Sequence, residues 1–150
     1  MNLLITLILS LSPGSLGAGF ILGQPTGLSF SYIVSQNNFS EFALAWAIPG
    51  RFHFNADFLF QWDLEPNQED FEIELPGRFV FYSGPGASFE IDNTSSYLGI
   101  RADLGLRYEF KGSPIDIFLE VSPGVRLFPN TNAFMEGGIG GRFYFFRANR

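Results

Sequence analysis

The sequence contains no cysteine. That absence excludes disulfides, thiolate nucleophiles, iron–sulfur clusters, cysteine-type zinc sites and a lipoprotein anchor. It has one histidine, His53, which excludes a histidine-rich metal site, and one lysine, Lys111. Charged residues make up only 16%, against roughly 25% in soluble domains. The net charge is −6, so there is no basic footprint for nucleic acid. No apolar run is long enough to cross a bilayer as a helix. What abounds is bulky or small: hydrophobic residues reach 46%, with 19 Phe and 17 Gly in 150 residues. Such a chain fits one domain and is too apolar for disorder.

The negative charge has a location. Asp63, Glu65, Glu69, Asp70, Glu72 and Glu74 fall in one stretch free of Lys and Arg, and they account for the whole net charge. The chain reads as a neutral body plus an acidic loop. That loop is a solvated segment or a site for a basic partner or divalent cation; no EF-hand spacing supports the cation.

Residues 2–12 form a short apolar run followed by Pro13-Gly14, with small residues at Ser15 and Gly17. This pattern is expected to be a signal peptide over 1–17, leaving a domain over 18–150. The run lacks a preceding Lys or Arg, and the alternative is that it adds a strand.

Beyond it the apolar pattern has period two. Over 51–62 the even positions are Phe52, Phe54, Ala56, Phe58, Phe60 and Trp62; the odd positions include Arg51, His53, Asn55, Asp57 and Gln61. Over 97–110 the even face is apolar, from Leu98 to Phe110. Over 115–127 the odd face is apolar, from Ile115 to Leu127. Strands are expected at 18–24, 28–35, 39–48, 51–62, 78–91, 96–110, 114–127 and 132–146. Pro25-Thr26-Gly27 reads as a three-residue hairpin with a bulge, placing Gln24 opposite Leu28, Leu22 opposite Phe30 and Phe20 opposite Tyr32. The termini, 36–38, the acidic loop 63–77 and 111–113 then share one side. The short turns 25–27, 49–50, 92–95 and 128–131 share the other.

A soluble barrel would show a wet face rich in Lys and Glu. Here the polar face is built of Gly, Ser, Arg, Asp and Glu. Glycine weakens an exposed strand but relieves crowding inside a narrow barrel. Interleaved charges suit a lumen that pairs its own ions. The chain therefore reads as an all-β, eight-stranded antiparallel up-and-down transmembrane β-barrel, apolar face to lipid, lumen plugged by its own side chains. The expected lumenal network is Arg51, Asp57, Arg78, Glu90, Arg101, Asp103, Arg107, Glu109, Asp116, Glu120, Arg126, Glu136 and Arg142, with Glu41 on the same face. Within it, Arg107 is expected to bridge Glu109 and Asp116, and Arg101 to reach Glu120. Trp46, Trp62, Tyr32 and Tyr108 lie near strand ends, where aromatic girdles form; Tyr144 has inward parity. His53 reads as a lumenal hydrogen-bonding group, and Gly137-Gly138-Ile139-Gly140-Gly141 as a strand segment.

Gly23-Gln24-Pro25-Thr26-Gly27-Leu28-Ser29 with Tyr32 resembles the opening of a family of small outer-membrane β-barrel proteins. Ala45-Trp46, the His53 to Asp57 strand, Pro114 to Glu120 and Gly138 to Phe145 extend the resemblance over most of 19–146. Such barrels are the size of OmpA or OmpX, and the resemblance implies no catalytic residues. Family barrels often end on an aromatic; here Arg147 to Arg150 follow Phe146.

The expected function is a structural or partner-binding outer-membrane barrel: no enzyme, no cofactor, no metal site, no nucleic acid. Its expected partners are outer-membrane lipid and a periplasmic or envelope protein. The alternatives are a narrow gated pore, a lipid-modifying enzyme and a soluble ligand-binding barrel.

Overall fold

The computed structural model describes residues 14–47, 50–64 and 77–146. It contains eight strands: β1 (Leu16–Gln24), β2 (Gly27–Ile33), β3 (Asn38–Ala47), β4 (Arg51–Leu64), β5 (Gly77–Ile91), β6 (Ser96–Phe110), β7 (Ile115–Phe128) and β8 (Asn132–Phe146). Each pairs antiparallel with its neighbours, and β1 pairs with β8, closing the barrel. All eight expected strands are present.

Side-chain alternation decides why the sheet closes this way. On β6 the odd residues Arg101, Asp103, Gly105, Arg107 and Glu109 are buried, while Ile100, Leu104 and Leu106 are exposed. The same division runs around the barrel. Large apolar side chains such as Phe20, Trp46, Ile100, Leu119 and Phe143 cover the outside. The interior holds charges and one apolar cluster: Ile33, Phe39, Leu59, Tyr82 and Tyr144. This is the reverse of a soluble barrel, as the Gly, Ser, Arg, Asp and Glu of the polar face led one to expect.

The β1–β2 hairpin corrects the expected register. Phe20 faces Leu28, Ala18 faces Phe30 and Leu16 faces Tyr32, a displacement of four residues along β1. The last pair is Ile21 with Gly27, while Leu22, Gly23 and Gln24 stay paired only to β8. The turn is wider than three residues because Thr26 closes it: its Oγ1 accepts from the Gly23 N–H at 3.0 Å and donates to the Gly23 carbonyl at 2.8 Å. An even slip keeps every side chain on its face, so alternation could not detect it.

The wall is uneven. β2 has seven residues, whereas β5, β6 and β8 have 15 each. Residues 1–13 of the expected leader lie outside the described residues; Leu16 and Gly17 are already paired in β1. Of the acidic segment, Asp63 ends β4, and Glu65, Glu69, Asp70, Glu72 and Glu74 lie outside the described residues.

Candidate functional site

The site is the barrel interior, and glycine organises it. Asp57, Gly86 and Arg101 form one row across β4, β5 and β6. A Cβ on Gly86 would lie 1.7 Å from Asp57 Oδ1, so this position must be empty. Through the gap Arg101 grips Asp57 with two bonds, Nε to Oδ1 at 2.8 Å and NH2 to Oδ2 at 2.9 Å. Its NH1 bonds Glu136 at 2.6 Å, and NH2 lies 3.4 Å from Asp103.

A second row, Tyr82, Gly105 and Glu120, works the same way. The Tyr82 ring lies over Gly105, and its hydroxyl donates to Glu120 at 2.9 Å. This corrects the expected Arg101–Glu120 pair. Arg101 is drawn through the Gly86 gap toward β4, and Glu120 is taken by a phenol from β5. Phe118 over Gly140, Tyr144 over Gly17 and Phe134 over Gly124 repeat the device. Gly105→Val is expected to cost about 1–3 kcal/mol by overpacking. Tyr82→Ala, which empties the space, should recover part of that loss in a double-mutant cycle on urea midpoints. Strict additivity would show that the two positions do not share the space.

Toward the terminal side, Glu109 and Asp116 are direct cross-strand partners, as expected. Arg107 lies between them, 2.8 Å from Glu109 and 3.7 Å from Asp116, and its NH2 also donates to Gln61. Arg142 bonds Glu41 at 2.6 Å and Asp116 at 3.3 Å, and the Tyr144 hydroxyl donates to Asp116 at 2.9 Å. Arg107 and Arg142 stack on Phe39 and Phe118, at 4.7 and 4.2 Å from the ring centroids. Arg78 closes this end with Glu109 and with Asp63. Ser122 donates to Asp103 at 2.5 Å.

Toward the short turns, Glu90 receives Arg51 at 3.0 Å and Arg126 at 3.2 Å. His53 Nε2 lies 2.8 Å from Asn55 Oδ1, 3.0 Å from Ser88 Oγ and 3.1 Å from Glu136 Oε1. A serine, a histidine and carboxylates invite comparison with a hydrolase triad. The hydrogen bonding differs from that of a triad. Asn55 turns its amide nitrogen to Glu136, so its oxygen faces His53. Asn55 Oδ1 and the Glu136 carboxylate only accept, so Nε2 carries a proton and offers Ser88 no lone pair. His53 is a donor that ties β4 to β8.

All thirteen expected network residues thus project into the barrel interior or its rims. Sequence reasoning did not single out Tyr82, Gln61, Asn55, Ser88 and Ser122. Each has inward parity, the one signal that could have found them.

No family model matches the chain, and no curated protein matches it. Among solved structures, it is similar to the N-terminal β-barrel domain of Pseudomonas aeruginosa OprF, with a TM-score of 0.53. The match covers 88% of this chain and 98% of that one, at 13% identity. The two share a fold. The likeness carries the closed eight-stranded antiparallel architecture and nothing finer.

Proposed function

We propose that the chain is an integral barrel of the bacterial outer membrane, of the small type resembled by its Gly23 to Ser29 opening. Its outer face meets lipid, its interior is closed by its own ion pairs, and its role is structural or partner-binding, without catalysis. One observation carries this reading: buried Arg101, Arg107 and Arg142 inside a barrel whose outside exposes Phe, Leu, Ile and Trp. In water that outer surface would be one continuous apolar patch, a strong aggregation liability. In hydrocarbon the same surface is the stable one, and a closed barrel leaves no unpaired edge. Trp62 stacked on Phe81 and Tyr108 packed against Phe79, at 5.7 and 4.9 Å, fit a girdle on the terminal side.

The test is a gel. Protein refolded in detergent should migrate differently before and after boiling. It should also enter the detergent phase on partition. Migration unchanged by boiling, with recovery from the aqueous phase, would overturn the reading. In planar bilayers the plugged interior should give no steady conductance. Regular open steps would favour the narrow pore.

A further inference from the structure

The short-turn end opens into a cavity of about 420 Å³. Small-molecule sites run from about 300 to 1,000 Å³. Its lining crosses the wall. His53, Glu90, Arg126 and Phe134 belong to the inner face, whereas Trp46 and Met135, 62% and 66% exposed, belong to the outer face. Residues of both faces can border one space only where the wall between them stops. It stops at the β1–β2 hairpin: Gly23 to Thr26 also line the cavity, and β1–β2 pairing ends at Ile21 and Gly27. The cavity therefore runs from the charged interior, over a low rim, to the apolar outer surface.

At its mouth two arginines meet two carboxylates. Arg51 and Arg126 share Glu90, with Asp92 further out, 3.5 Å from Arg51. Glu136 is held from below by Arg101 and His53. Among the described residues Glu90 is the only hydrogen-bond acceptor of Arg126. Tyr97 and Phe134 hold its guanidinium from the sides, with centroids at 5.1 and 5.6 Å. A planar guanidinium fixed on aromatic faces, with donors to spare, suits a carboxylate or phosphate.

We propose that this vestibule binds a single-chain anionic amphiphile, its carboxylate or phosphate head on Arg51 and Arg126 and its acyl chain laid over the hairpin rim against Trp46 and Met135. The proposal rests on the outer-membrane reading, since the chain must leave the barrel into lipid.

The two tryptophans make the experiment direct, because Trp46 borders the vestibule and Trp62 sits toward the opposite end. Full-length protein with Trp62→Phe is placed in phosphatidylcholine nanodiscs and titrated with stearate carrying a doxyl quencher beside its carboxylate. Saturable quenching of Trp46 is expected. Laurate and dodecyl phosphate should displace the probe; methyl laurate, butyrate and inorganic phosphate should not. Arg51→Met with Arg126→Met should raise the half-saturating concentration about tenfold, the loss expected from a charge-assisted hydrogen bond. Non-saturable quenching, or equal quenching of Trp62 in a Trp46→Phe protein, would overturn the proposal, as would indifference to the arginine changes. Displacement by methyl laurate would remove the anionic head from it, and displacement by butyrate or inorganic phosphate the acyl chain. Boiling-dependent gel migration is read on every variant. Its loss in the unsubstituted protein would overturn the outer-membrane reading itself, whereas its retention without saturable quenching would overturn the vestibule alone.

Discussion

Arg101→Met is expected to lower the stability of the folded barrel by about 3–5 kcal/mol, the cost of leaving buried charges without a partner. Arg101 serves three carboxylates at once: Asp57, Glu136 and Asp103. Asp57, Asp103 and Arg101 have side chains almost fully removed from solvent, so water cannot take over. The intact cluster itself adds little net stability, because desolvation nearly offsets attraction. The asymmetry makes the test. Adding Asp57→Asn to Arg101→Met should recover part of the loss, with a coupling of about 0.5–3 kcal/mol. Adding Glu120→Gln should recover nothing, because Glu120 is held by Tyr82. Urea unfolding midpoints of the two double variants measure this, and equal rescue by both would refute the assignment of partners.

Leu104→Arg should cost about 2–4 kcal/mol of folding stability in liposomes, the penalty of a charge near the bilayer midplane. Leu104 is near the centre of β6, points outward and is 40% exposed on the isolated barrel. The same strand already carries Arg101 and Arg107 with the opposite parity, so the strand tolerates arginine and only the face decides. Leu98→Arg, near the strand end, should cost only about 0–1 kcal/mol. A flat profile along the outer face would show that it does not meet hydrocarbon.

The alternation of Phe52 to Trp62 with Arg51 to Gln61 made β4 legible, and the same period revealed six more strands; β1 was inferred from the Pro25-Thr26-Gly27 turn and the even strand number a closed barrel takes. Alternation is a local signal, two residues long, and each strand repeats it many times. The partners of Arg101 were not legible. They depend on a row that crosses β5 at Gly86, and a missing side chain gives no sign of what will reach through it. Glu109 opposite Asp116 was legible because a short turn fixes the register between adjacent strands. The β1–β2 register was not, because the hydroxyl of Thr26 sets the turn and an even slip leaves the pattern intact. Interior Phe39 and Leu59 were hidden for another reason: parity placed Leu59 inward, but nothing local says that a charged interior also holds an apolar cluster.

The ion pairs of the interior also dictate an order of assembly. Arg142 and Glu41 are 101 positions apart in the chain, and Arg101 and Asp57 are 44 apart. Neither pair exists within a single hairpin. A β6–β7 hairpin alone would carry Arg101 into hydrocarbon without Asp57 and Glu136, and Glu120 without Tyr82, several kcal/mol uphill per ion. The pairs that reach β8, Arg142 with Glu41 and Arg101 with Glu136, form only when the last strand docks, so these groups keep their hydration shells until then. Dehydration of the lumen and closure of the cylinder are then one event, and on the proposed outer-membrane reading the chain inserts as a whole rather than hairpin by hairpin.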